Sequence, residues 1–203
     1  MATCELFYDF SSPFSYLAAT QVERECAGHR VVWRPFLLGG LFKAIGTPIV
    51  PLHSFSAAKQ ALLLKDQYRW AEHWGVEFSF PSRFPQRTVT ALRVAIQAPE
   101  DRIGPLSIAL YRVMWVEDGD LEDRVTLARV INAQGLDAER LLAGAEDEAV
   151  KAKLKANTDE AVARGLCGAP SMVVGDLVFW GQDRFEMVKK ALAGWVPKHE
   201  QQR

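Results

Sequence analysis

Glu5-Leu-Phe-Tyr-Asp-Phe-Ser-Ser-Pro-Phe-Ser-Tyr16 is the stretch on which the fold turns. Its first half, Glu5 to Phe10, is aromatic and apolar and reads as a buried strand. Pro13 then opens a helix, because the N–H that proline lacks would be unpaired in a first turn anyway. Phe14, Leu17, Ala18, Val22 and Cys26 recur at helical spacing, and Gly28 closes the helix. Ser12 is thereby placed at a helix N-terminus, where free N–H groups and the positive end of the dipole favour an anion. Two readings of Ser12 stand side by side. It caps the helix, with Ser11 competing for that place, or it serves a bound anion. No Gly-x-Ser-x-Gly surrounds these serines, so acyl-enzyme hydrolysis is poorly supported.

Val31 to Leu37 reads as a second strand with Pro35 near its end, so strand, helix and strand form a parallel, right-handed βαβ unit. The pattern then changes. Helices are expected over residues 56–74, 88–98, 105–117, 127–134, 138–142 and 146–164, with no hairpin signal from 40 to 165. Sheet returns with Ser171-Met-Val-Val174, the turn Gly175-Asp176, and Leu177-Val-Phe-Trp180. A last helix spans Phe185 to Leu192, and the tail from Lys198 to Arg203 is expected to fray. The class is α/β: a βαβ…ββα core, similar to thioredoxin, interrupted by a large all-helical insertion. Residues 1–40 and 165–203 form the discontinuous thioredoxin-like domain, and 41–164 the insertion.

The 203 residues suffice for one large domain or a domain with an insertion. A formal net charge of −1 gives no electrostatic footprint for nucleic acid or an anionic membrane. No apolar run is long enough to span a bilayer, and Met-Ala-Thr-Cys-Glu lacks the basic and apolar regions of an export signal. Cys4, Cys26 and Cys167 are widely separated in sequence and read as free thiols. The four histidines have no ligand spacing, so no metal site is expected.

Two further stretches carry candidate chemistry. In Gly168-Ala-Pro-Ser171, Pro170 opens a strand at the place where thioredoxin-type folds put a cis-proline; its plain alternative is a strand-start proline. In Trp180-Gly-Gln-Asp-Arg184, Asp183 reads as the cap of the last helix, or, with Gln182, as a contact for a charged ligand end. Phe14, Trp115 and the aromatic segment Phe78 to Pro85 are candidates to line an apolar cleft, with a place in the core as the alternative for Trp115 and a packed connector as that of the segment.

Phe7-Tyr-Asp-Phe-Ser-Ser-Pro-Phe-Ser-Tyr-Leu17, Gly168-Ala-Pro-Ser-Met-Val-Val174 and Phe179-Trp-Gly-Gln-Asp-Arg184 together resemble the 2-hydroxychromene-2-carboxylate isomerase family, the bacterial branch similar to kappa-class glutathione transferases. The resemblance covers nearly the whole chain. It implies a cytoplasmic, homodimeric enzyme of aromatic catabolism with glutathione as cofactor and a small aromatic carboxylate as substrate. It also implies roles. Ser12 is the catalytic residue and hydrogen-bonds the glutathione sulfur, beside Phe14. Ala169, ahead of Pro170, pairs with the cysteinyl backbone. Trp180, Gly181, Gln182 and Asp183 hold the γ-glutamyl end. Thr47 stands where relatives often carry an Asn that helps bind glutathione or substrate; Lys43, with Arg83 and Arg87, reads on its own as solvated, or one of the three faces an acidic substrate. A kappa-class transferase and a non-catalytic thioredoxin-like binding module are the competing readings. A disulfide oxidoreductase is disfavoured, because Ser12-Pro-Phe-Ser15 supplies no thiol.

Overall fold

The computed structural model describes residues 1–199. Residues 200–203 of the tail expected to fray lie outside the described residues. Strand β1 (Thr3–Tyr8) leads into helix α1 (Pro13–Glu25) and strand β2 (Arg30–Pro35). Helices follow: α2 (Leu38–Ile45), α3 (Ala57–Trp74), α4 (Val89–Ala95), α5 (Glu100–Trp115), α6 (Arg124–Ala133), α7 (Ala138–Gly144) and α8 (Glu148–Ala163). The chain returns to sheet with β3 (Ser171–Val174) and β4 (Leu177–Trp180) and ends on α9 (Phe185–Leu192). The sheet order is β2-β1-β3-β4, with β1 parallel to β2 and antiparallel to β3. The hairpin is in register, Val174 opposite Leu177, and Gly175 takes φ 59° as the first turn residue.

Both faces of the sheet are covered, which is why β1 reads as a nearly continuous apolar run. Cys4, Leu6 and Tyr8 point into the larger core with α1, α5, α9 and Met172. Phe7 and Val173 point into a smaller core with Phe36, Leu41 and Phe42 of the α2 region and Ala161 of α8. Glu5 shares that second face and meets two cations: Arg34 at 2.6 Å and Arg164 at 2.6 Å. Burial raises its pKa, but the bonds from Arg164 and Arg34 outweigh that and hold the carboxyl below its ordinary value. A depressed carboxyl stabilises the fold above its unfolded pKa, and that contribution is lost as pH falls through the folded value. Glu5→Gln is therefore expected to cost about 1–2 kcal/mol at pH 7 and almost nothing near pH 2. Urea unfolding at the two pH values measures this; an equal cost at both would sink the ion-pair account.

Several boundaries differ from expectation. β1 stops at Tyr8, two residues early, because Asp9 turns the chain by accepting the Ser11 N–H through its side chain and the Ser12 N–H through its carbonyl. α5 begins at Glu100 and carries Pro105 inside it rather than at its start. α2 was not anticipated at all, since Gly39-Gly40 speaks against a helix. Packing reverses that preference: a Cβ on Gly40 would lie 3.0 Å from Thr158 of α8, whose hydroxyl accepts the Leu37 N–H. α2 runs through residues 40 and 41. Cys4 and Cys26, remote in sequence, come together: Cys4 lies near the start of β1, Cys26 is the C-cap of α1, and both are buried. Their mutual hydrogen bond and burial keep Cys4 protonated.

Candidate functional site

Ser12 occupies the junction of β1 and α1 with extended backbone, φ −102° and ψ 118°. Its Oγ accepts the Ser15 N–H at 3.2 Å, so Ser12, not Ser11, is the N-cap. The same hydroxyl donates to the carbonyl of Ala169 at 2.8 Å across 157 residues of chain. One oxygen thus caps the helix with a lone pair and commits its proton elsewhere. The Ala169–Pro170 bond is cis. The Pro170 carbonyl accepts the Gly181 N–H at 3.1 Å, and Ser171 pairs with Trp180, so the two C-terminal motifs adjoin Ser12 through the hairpin. Gly168 is needed where it stands: a Cβ there would lie 2.6 Å from Nε1 of Trp180.

Backbone donors are left open at this junction. The Phe14 N–H, first after the proline, and the Ala169 N–H have no acceptor among the described residues. Trp180 is 56% exposed and Asp183 is also exposed, whereas Gln182 is buried. Gln182 accepts the indole N–H of Trp74, from the end of α3, at 2.7 Å, so it acts as a tether between α3 and the hairpin. Asp183 does not cap α9. The N-cap is Arg184, without a side-chain cap bond, and the Asp183 carboxylate pairs with the Arg184 guanidinium at 2.8 Å.

Lys43 is exposed in the last turn of α2. Thr47 follows Gly46, which ends the helix at φ 73°, and its N–H closes the turn on the Phe42 carbonyl. Among the described residues, no hydrogen bond joins either residue to Ser12, Ala169 or the 180–183 segment. Trp115 cannot line an open cleft. It is wholly buried, donates to the Phe10 carbonyl at 2.8 Å and stacks on Phe78. Phe80 and Phe84 pack on it as well, so the 78–85 segment is a packed connector at that side.

Asp9 is the site residue that the motifs did not single out. It is 1% exposed, yet its carboxylate accepts from Ser11 N at 3.0 Å, Leu38 N at 2.9 Å and Thr88 Oγ1 at 2.6 Å. Its carbonyl accepts from Ser12 N and from the Tyr111 hydroxyl. Burial raises its pKa, against the opposing pull of those donors. A single acid in an apolar run, with only Phe10 between it and Ser-Ser-Pro, was the available signal.

A mixed sheet ordered β2-β1-β3-β4, with a proline-opened helix after β1 and a cis-proline ahead of β3, defines a thioredoxin-like protein; this one carries serines at the helix start where redox members use cysteine. The chain belongs to the DSBA-like thioredoxin domain family, whose model matches residues 3–193. It is 27% identical over 198 residues to the 2-hydroxychromene-2-carboxylate isomerase of Sphingobium xenophagum, covering 94% of this chain and 97% of that one. It is 28% identical to glutathione S-transferase kappa 1 of Rattus norvegicus, covering 91% and 88%. A solved structure of a 2-hydroxychromene-2-carboxylate isomerase superposes with a TM-score of 0.83 at 24% identity, over 94% of each chain. That last likeness concerns the fold.

Proposed function

We propose that this protein is a glutathione-dependent isomerase that interconverts 2-hydroxychromene-2-carboxylate and trans-o-hydroxybenzylidenepyruvate, or a closely related aromatic acid. The observation that carries the reading is the Ser12 hydroxyl at a helix N-terminus, 2.8 Å from the carbonyl that precedes the cis-proline. The relatives named above point the same way. The residues present fit glutathione: open N–H groups at Phe14 and Ala169, a hydroxyl, and an exposed carboxylate at Asp183 are donors and acceptors suited to a charged tripeptide.

When bound, glutathione supplies a thiolate for reversible addition to the conjugated double bond, and it leaves unconsumed. The chain's part is to make that anion available at neutral pH. A free thiol has a pKa near 8.5. The dipole of α1 and the open Phe14 N–H favour the charged form at its N-terminus. Ser12 adds its proton by turning away from Ala169 while still accepting the Ser15 N–H. That turn releases the Ala169 carbonyl for a peptide N–H of the ligand, so neither group is left unpaired. Trp180, Gly181, Gln182 and Asp183 are proposed to hold the γ-glutamyl end. Lys43 is proposed to meet the substrate carboxylate, with Thr47 beside it. In this reading residues 1–40 and 165–203 carry the glutathione side, residues 41–164 the substrate side, and the enzyme works as a cytoplasmic homodimer.

The test is ultraviolet absorbance of a benzylidenepyruvate with and without glutathione, with free thiol counted at the end. Isomerisation that requires glutathione and leaves the thiol count unchanged is the expected result. Accumulation of a thioether, with thiol lost in step, would favour the transferase reading that the 28% identity to the kappa enzyme supports. Turnover that ignores glutathione would overturn both.

A further inference from the structure

We infer that Asp9 is the positioning residue of this site: its carboxylate sets the Ser11-Ser12 turn and, in the same contact set, starts α2 and anchors Thr88 ahead of α4. This role rests on the glutathione reading of Ser12. Three donors converge on the two carboxylate oxygens, from three separate segments: Ser11 N–H and Thr88 Oγ1 on Oδ1, Leu38 N–H on Oδ2. Neither helix is capped by the side chain of its own N-cap residue: Leu37, for α2, and Thr88, for α4, make no side-chain cap bond. Asp9 therefore caps α2 from a distance, and the Asp9 carbonyl adds the Ser12 N–H and the Tyr111 hydroxyl of α5. Ser12 lies three residues on, so any rotation of Asp9 changes where the Ser12 hydroxyl points.

The chemistry demands a carboxylate. The Ser11 and Leu38 N–H groups can only donate, and they lie on different oxygens. An Asn side chain has one acceptor oxygen and an NH2 group, so one backbone N–H would face another donor inside a closed site. The junction of the thiol-binding turn with the helix that carries Lys43 would then be loosened on one side. Asp9 is thus the physical link between the two halves of the proposed active site, although it touches neither ligand.

The test measures the pKa of glutathione bound to the wild type, Asp9→Asn, Ser12→Ala and the double variant, from thiolate absorbance against pH. Glu5→Gln serves as a variant weakened elsewhere in the sheet. Asp9→Asn is expected to raise the bound thiol's pKa by about 1, a tenfold loss of thiolate at neutral pH, with no further rise when Ser12 is already Ala. Glu5→Gln is expected to leave the value in place. Additive rises in the double variant, or an unmoved pKa in Asp9→Asn, would overturn the role of Asp9 alone. A wild-type protein that leaves the thiol at its solution value would overturn the glutathione reading, and the role of Asp9 with it. Should Asp9→Asn fail to fold, Thr88→Val removes one donor and keeps both backbone partners; it is expected to reduce thiolate about twofold, and no change would overturn the inference.

Discussion

Ser12→Ala is expected to lower the glutathione-dependent rate at pH 7 by about ten- to a hundredfold, the worth of one hydrogen bond to a charged partner. The loss is expected to shrink as pH rises, because the thiol then ionises without help. The variant also loses a cap and the bond to Ala169, so its stability falls by about 0.5–2 kcal/mol. Ser12→Gly separates the two effects. Glycine is a tolerable N-cap and costs only about a few tenths of a kcal/mol in that place, yet it has no hydroxyl. Both variants are therefore expected to show the same rate loss and the same displaced pH profile, with different melting temperatures. Full activity in Ser12→Gly would reduce Ser12 to a cap.

Trp115→Ala is expected to cost about 4 kcal/mol, the largest stability effect of any single change considered for this chain. Trp115 is 0% exposed, and its loss removes the stack on Phe78, the edges of Phe80 and Phe84, and the donor to the Phe10 carbonyl. At this size the melting temperature is expected to fall by roughly 10 °C. Trp115→Phe keeps much of the ring and isolates the polar part: the Phe10 carbonyl stays buried without its partner, at about 1–3 kcal/mol. Calorimetry of both variants checks the split. A Trp115→Ala protein within 1 kcal/mol of wild type would mean that the connector does not hold as packed. Since Phe10 lies two residues before Ser12, this contact also steadies the ground under the site.

The strands and the proline-opened helix were legible because their signals are local. Short apolar runs, Pro13 at a first turn and Gly175 in a two-residue loop each depend on a few neighbours. The cis bond at Pro170 was legible only through the order of elements around it. What was hidden depends on distant partners. α2 exists despite two glycines because Thr158 and Asp9 supply what its own residues lack. That Gln182 also tethers α3 to the hairpin was hidden, because Trp74 reaches it from 108 residues away. Asp183 has the spacing of a helix cap, but its neighbour Arg184 takes the carboxylate and α9 starts without a side-chain cap. Trp115 reads in sequence as core or pocket wall alike, and only the packing of Phe78, Phe80 and Phe84 around it makes it core.

The sheet order has a consequence in time. β1 and β2 are made within the first 35 residues and can pair early, but β3, the neighbour on the other edge of β1, spans residues 171–174. At about 5–20 residues per second, a ribosome needs roughly 7 to 27 s to bridge that interval. Throughout it, the growing chain carries a half-built sheet with an apolar edge open to pairing with other chains. The helices made in between are all that can shield it. A product truncated before residue 165 would therefore hold Ser12 with no Ala169 opposite, and it would be cleared or aggregate instead of retaining partial activity.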